Sequence, residues 1–349
     1  MDGEGIWHGG SLGAARRLFP RAPEPWIDLS TGINPVPYPL PPLSPDLWTR
    51  LPEPGAQAAL EAVARGAFGA VEGVDVLAAP GTQILIGLLP SLLPPRRVAI
   101  LGPTYAEHAA AWRAGGHRVT EVADLAAAEG ADVVVLVNPN NPDGRLVAPA
   151  TLHAFAQTHA GLLVVDEAFA DLEPGASLCP QLPDDGIVLR SFGKTYGLAG
   201  LRLGFALGGA GEGGALVARM RALMGPWAVS GPACAIGAVA LADRDWRARA
   251  AAARAADAGR LDALLAPHAR APMRGTRLYR LLASEDAPAL FARLGRAGIY
   301  VRRFGHDPSL LRFGLPAGEE AWARLEAALA FQGPPPHLRH SVRGEKPRH

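Results

Sequence analysis

From about Ala56 to Leu207 the chain repeats one alternation, a short apolar run followed by a stretch of helical periodicity. The apolar runs lie in "RRVAILGP", "HRVTEV", "ADVVVLVNPNNP", "GLLVVDEAF", "GIVLRSF" and "LRLGFAL". The helical stretches are "AQAALEAVARGAF", "QILIGLLPSLL", "YAEHAAAWRAGG" and "TLHAFAQTHA". Most of the runs carry no polar residue at alternate positions, so neither face of such a strand can be left in water. Helices covering both faces of a mostly parallel sheet satisfy that pattern, which predicts an α/β layer fold.

The segments before and after this region differ from it. "APEPWIDLSTGINPVPYPLPPLSP" cannot be helical, because its prolines remove donors and push the residues before them to extended backbone. Its interleaved Trp26, Ile27, Leu29, Ile33 and Tyr38 predict an ordered arm, not a disordered one. The organisation expected is an N-terminal arm over 1–50, a large domain over 51–240 and a small C-terminal domain over 241–332. The long helix "DWRARAAAARAADAGRLDALLAPH" leads into the last of these, and the basic, proline-rich 333–349 reads as a disordered tail.

Composition excludes several classes of function. A net charge of +1 gives no electrostatic case for nucleic acid. No uninterrupted apolar run reaches the roughly 18 residues of a membrane span. The acidic start "MDGEGIWHGG" is no secretory signal. Cys179 and Cys234 fit no metal spacing and read as free thiols of a reducing compartment, and the histidines form no H-x-x-x-H or H-E-x-x-H pattern, so no metal is expected. A cytoplasmic location follows as the expectation.

In an open α/β sheet, ligands bind outside the carboxyl ends of the strands. Gly81-Thr82-Gln83, Tyr105, Asn141, Asp166, and Ser191 with Lys194 all fall at such ends, and several polar residues converging on one edge make a site. "PGTQILI" opens an apolar helix, which makes it either a helix cap or an anion site. Asn141 precedes Pro142, which restricts its backbone and fixes its amide direction. Asp166 and Glu167 end a very apolar strand and must be paired, with a ligand cation or with a neighbouring arginine. "SFGKTYGLAGLRLGF" contains a Gly-Lys-Thr triplet, but the glycine a phosphate-binding P-loop requires is Val188, so Lys194 is not a nucleotide lysine. In a partly dry pocket, a lysine among Gly193, Gly197 and Gly200 is a nucleophile toward carbonyls. Arg202 supplies a second positive charge for a phosphate. "GAGEGG" (209–214) fits a dinucleotide pattern formally, yet lacks the later acidic residue and reads as a surface loop.

Taken in order, "PGTQ", "PTYAEH", "NPNNPDG", "VVDEAF" and "SFGKTYGLAGLRLGF" resemble the fold-type I enzymes that use pyridoxal 5′-phosphate (PLP), specifically the histidinol-phosphate aminotransferase-like group. That resemblance implies a large domain with a mostly parallel seven-stranded sheet, a smaller C-terminal α+β domain and an N-terminal arm. Within the group, "HGGSLGAARRLFPRAPEPWIDLSTGINP" is similar to the L-threonine-O-3-phosphate decarboxylases of cobalamin biosynthesis. Histidinol-phosphate transamination is the alternative, since the same residues serve both reactions, and a fold that has lost catalysis is a third.

Carried over residue by residue, the resemblance makes Lys194 the covalent anchor of PLP and Asp166 the partner of its pyridine nitrogen. It places Asn141 on the ring hydroxyl and Tyr105 on the ring face. Gly81, Thr82, Gln83, Ser191 and Arg202 belong to the cofactor site, with Gly81, Thr82, Ser191 and Arg202 on the phosphate. Arg312 meets the substrate carboxylate, Asn34 and Asn141 contact substrate, and His8, Arg302 and Arg303 are candidates for the substrate phosphate. Phe169 stands where many aminotransferases of the group have a tyrosine that donates to the ring hydroxyl. The resemblance further implies a small phosphorylated amino acid as substrate and a homodimer.

Overall fold

The computed structural model describes residues 9–330, so His8 and the C-terminal tail lie outside the described residues. Its strands are β1 (Ile27–Leu29), β2 (Asp75–Ala79), β3 (Arg97–Leu101), β4 (Arg118–Val122), β5 (Val133–Val137), β6 (Leu162–Asp166), β7 (Gly186–Ser191), β8 (Gly204–Gly208), β9 (Arg274–Thr276), β10 (Tyr279–Ala283), β11 (Ile299–Arg303) and β12 (Leu310–Gly314). Seven of them form one sheet in the order β2-β8-β7-β6-β5-β3-β4. Only β8 runs against its neighbours; the other ladders are parallel.

The unbroken apolar strands are buried on both faces, as the pattern requires. Along β5, Val133 and Val135 pack with Leu85, Trp112 and Met220 on one face. Val134 and Leu136 pack with Leu60, Phe68 and Ile236 on the other. Helices Thr82–Ser91 and Ala106–Ala114 cover the first face, and Pro54–Phe68 and Gly231–Ala242 the second. Each parallel crossover returns the chain to the same sheet edge, which gathers the polar strand ends together.

The smaller sheet has the order β1-β11-β12-β10-β9. Its β1 comes from the arm and pairs parallel with β11, Ile27 opposite Ile299, so the arm is part of the smaller sheet. Trp26, Leu29 and Tyr38 are buried, as their spacing along the arm suggests. Helix Arg244–Leu265 carries the chain from the large sheet to the small one.

"GAGEGG" is a packed turn and not the expected surface loop. A Cβ on Gly209 would stand 2.0 Å from the carbonyl oxygen of Pro183, and one on Gly213 2.2 Å from that of Gly186. Gly209 before helix Glu212–Met224 and Gly213 in its first turn serve close backbone approach. Among the described residues no helix is long and apolar enough to cross a membrane.

Candidate active site

The strand ends meet around a cavity of about 310 Å³ lined by Lys194, Asp166, Asn141, Tyr105, Arg202 and Arg312, among others. Lys194 sits in a one-turn helix, Phe192–Thr195, directly after β7. Its Nζ stands 5.0 Å from the centre of the Phe169 ring and has no hydrogen-bond acceptor among the described residues. Burial, reinforced by Arg312 and Arg202 and opposed by Asp166, pulls its amine below the ordinary lysine range. A neutral amine is the nucleophilic form.

Asp166 closes β6 at 3% exposure. Its Oδ2 lies 3.0 Å from His108 Nε2, and its Oδ1 accepts from the Ala168 N–H at 3.0 Å. Burial pushes this carboxyl up, but the hydrogen bond and charge of His108, the charge of Lys194 and the Ala168 N–H outweigh it and hold the group below the usual carboxylate range. The result is an ionised carboxylate on the cavity wall. Sequence reasoning gives His108 no role, although it stands in "PTYAEH" one helical turn after Tyr105; only the fold shows that this face meets β6. Of the two pairing alternatives for this acidic doublet, Glu167 takes the arginine, Arg190, on the opposite face of the sheet.

At the other end of the cavity, Gly81 adopts φ +87° and precedes the N-terminus of helix Thr82–Ser91, where no side chain caps the free N–H groups. A Cβ on Gly81 would lie 2.7 Å from Arg202 Nη2, and one on Gly204 2.7 Å from the Thr82 nitrogen, so both glycines hold open a cradle of donors beside a guanidinium. Ser191 ends β7 on the same wall. Gln83 accepts from the Tyr105 hydroxyl at 3.0 Å and donates to Glu107 at 3.2 Å, which fixes the tyrosine at the cavity rim. Burial, then the charges of Glu107 and Asp166, push that hydroxyl up to about 12, so Tyr105 stays neutral near pH 7 and serves as a surface or a donor, not a base.

Two arginines face the cavity from the small sheet. Arg302 and Arg312 are register partners on β11 and β12, and both line the cavity. Arg312 is 4% exposed. It donates to Asn141 Oδ1 at 2.6 Å and to the Ser30 carbonyl at 2.9 Å, and its buried Nε has no partner among the described residues. Burial and the neighbouring Arg302 lower its guanidinium to about 10, which leaves it charged near neutral pH.

Two sequence candidates take other places. Arg303 follows Arg302 along β11 and therefore points to the opposite face, its guanidinium 4.0 Å from the Phe291 ring centre. Asn34 does not line the cavity. Its Nδ2 donates to the Thr195 carbonyl at 2.9 Å, its Oδ1 accepts from Arg254 at 3.0 Å, and its backbone N–H donates to the Lys194 carbonyl at 2.8 Å. With its carbonyl oxygen, one amide N–H and its backbone N–H engaged, Asn34 braces the lysine helix from outside the cavity. The arm residues that do reach the cavity are Gly9 and Ser30 to Ile33.

A buried lysine amine, an ionised carboxylate and an anion cradle around one cavity are the parts a PLP site needs, and comparison with known proteins agrees. The model for aminotransferase class I and II matches residues 48–327. The chain belongs to the class I and II aminotransferase family. Within that breadth it is 44% identical to a threonine-phosphate decarboxylase of Pseudomonas aeruginosa over 338 residues, 95% of this chain and 99% of that one. It is 45% identical to a threonine-phosphate decarboxylase of a Sinorhizobium species over 335 residues, 93% of this chain and 98% of the relative. Among solved structures, the histidinol-phosphate aminotransferase of Sinorhizobium meliloti in complex with PLP superimposes with a TM-score of 0.74 at 23% identity, covering 93% and 94% of the two chains, which is a likeness of fold. The family depends on PLP, and this cavity fits that cofactor: an amine with no acceptor and a buried carboxylate flank the space, and two glycines keep the helix N-terminus clear for a phosphate.

Proposed function

We propose that this protein decarboxylates L-threonine O-3-phosphate to (R)-1-amino-2-propanol O-2-phosphate and CO2, a step of cobalamin biosynthesis. The observation that carries the reading is the Arg302–Arg312 pair, two guanidinium groups on neighbouring strands facing one small cavity beside Lys194. A short substrate with a carboxylate at one end and a phosphate at the other needs two separated cationic partners. The whole-length similarity to threonine-phosphate decarboxylases supports the same substrate.

PLP, when bound, supplies an electron sink for the pair released as the Cα–carboxylate bond breaks. Lys194 would hold the cofactor and deliver a proton from Nζ to the carbon that CO2 leaves. Asp166, kept ionised by His108, would hold the proton on the ring nitrogen. Asn141 spends its Oδ1 on Arg312, so its Nδ2 is the atom free to donate to the ring hydroxyl. Tyr105 would cover the ring face, while Gly81, Thr82, Ser191 and Arg202 would bind the cofactor phosphate. Arg312 would grip the substrate carboxylate and Arg302 its phosphate, which sets the scissile bond across the ring. The hydrocarbon face of Phe169 toward Lys194 excludes water without offering a donor.

A homodimer belongs to this reading. Trp48 and Leu40 are 68% and 63% exposed and line a shallow groove with Leu198 and Ile236, apolar surface that a second copy would cover. The cytoplasmic location is supported by the two buried free thiols.

Incubating the PLP-loaded protein with L-threonine O-3-phosphate and measuring CO2 tests the proposal. Stoichiometric release is expected. No release, together with 2-oxoglutarate-dependent turnover of histidinol phosphate, would overturn it in favour of transamination.

A further inference from the structure

Beneath the cavity floor, on the opposite face of the large sheet, lie three charged side chains that touch neither cavity nor solvent. Arg190 on β7 pairs with Glu167, which follows β6, and with Asp171 of the turn Ala170–Leu172. Glu167 is further tied by Ser177 Oγ at 2.7 Å and the Leu178 N–H at 2.5 Å. Asp171 accepts from the Thr195 hydroxyl at 3.1 Å. The guanidinium also lies 4.5 Å from the Phe68 ring centre, inside the apolar core.

Burying three charges gains little stability, because well-packed apolar residues would serve the core as well. The cluster does lock two points together. Glu167 and Thr195 are the immediate neighbours of Asp166 and Lys194. The outward member of each doublet faces the cavity, and the inward members are joined through Arg190 and Asp171. Lys194 rides on a helix of a single turn, too short to hold itself. Thr195 is fully buried and is held there by its hydroxyl on Asp171 and by its carbonyl on Asn34. We propose that Arg190 and Asp171, acting through Thr195, are positioning residues that set where Lys194 stands relative to Asp166, and with it the direction in which Nζ moves its proton. The proposal rests on Lys194 being the PLP lysine.

The test uses the full-length, PLP-loaded enzyme. Thr195→Val keeps shape and removes the hydroxyl. It should lower kcat by about 10- to 100-fold, the scale of a misplacement near 1 Å, and leave KM within about twofold and Tm within a few degrees. It should also shift the pH midpoint of the Lys194-dependent visible absorbance, and Thr195→Ser should restore kcat and midpoint. A Thr195→Val enzyme with the wild-type kcat and an unmoved midpoint would overturn the proposal, and so would a Thr195→Ser enzyme as impaired as the valine variant. Should Thr195→Val fail to fold, Asp171→Asn, which keeps size and one acceptor oxygen, carries the same expectation and the same refutation. A visible band that survives Lys194→Ala would instead overturn the lysine assignment, and the proposal with it.

Discussion

Lys194 combines a half-buried side chain with an amine that has no acceptor among the described residues, and burial first, then the charges of its neighbours, sets its acidity. Its folded value lies below the ordinary lysine range of about 10.4. Folding therefore favours the neutral amine, and the stability linked to this group rises with pH across the window between the two values. In cofactor-free protein, the rate of Nζ modification by an amine reagent, followed by mass spectrometry, should show a midpoint below about 10.4. Asp166→Asn removes an opposing charge and should lower that midpoint further. Arg312→Gln removes a reinforcing charge and should raise it. Asp166 has linkage of the same sign, in a lower pH window. Its carboxyl is held low, so its contribution is complete above the ordinary carboxylate pKa near 3.9 and is lost as pH falls through the folded value. His108→Ala deletes the hydrogen bond that opposes burial. Asp166 should then protonate at higher pH, and PLP affinity, measured by equilibrium titration, should fall about 10- to 100-fold, the range of a charged hydrogen bond. The types of these residues are readable from "VVDEAF" and "SFGKTYG", but the His108 contact joins positions 58 apart in the chain, which no local pattern encodes.

At the scale of elements, two glycines separate a tertiary requirement from a local cost. Gly144, in the turn after "NPNNP", has φ +70°, and a Cβ there would meet the Gly275 carbonyl oxygen at 2.0 Å. Gly144→Ala would push this turn off β9 and should lower unfolding free energy by about 2–4 kcal/mol in urea titration. Gly259 lies in helix Arg244–Leu265, and a methyl group placed on its Cα would have nothing within 4 Å. Gly259→Ala should raise stability by about 0.5–1 kcal/mol in the same assay, because only chain entropy changes. Both residues read as glycine in the sequence. Their opposite signs depend on what lies across the gap. The strands and helices themselves are legible in the sequence, because apolar runs and helical periodicity report burial along one element. The arm is legible as ordered but not as a strand: β1 is three residues long and gains its place from β11.

For the whole molecule, the site exists only where three parts of the chain meet. The large sheet supplies Lys194 and Asp166, the small sheet supplies Arg302 and Arg312, and the arm supplies Ser30 to Ile33. The Tyr279 hydroxyl donates to the Asn140 carbonyl and Arg312 to Asn141, so the asparagine-rich turn ties the two sheets at the cavity. The exposed Trp48 and Leu40 lie on the outer surface. If the proposed dimer forms through this surface, Trp48→Glu should give a monomer in sedimentation velocity and reduce CO2 release in parallel, whereas a monomeric wild-type protein with full activity would remove the dimer from the proposed function.

The sequence by itself determined the α/β layering, the strand-end location of the site and the chemical types of its lysine, carboxylate and anion donors. These follow from short-range periodicity and from motifs contained within single turns. The tertiary structure alone decided that His108 supports Asp166, that Arg302 and not Arg303 faces the cavity, and that Asn34 braces the lysine helix. It also decided that Glu167 and Arg190 pair beneath the floor. Each of these is a contact between side chains distant in sequence, and its direction depends on packing that no single segment carries.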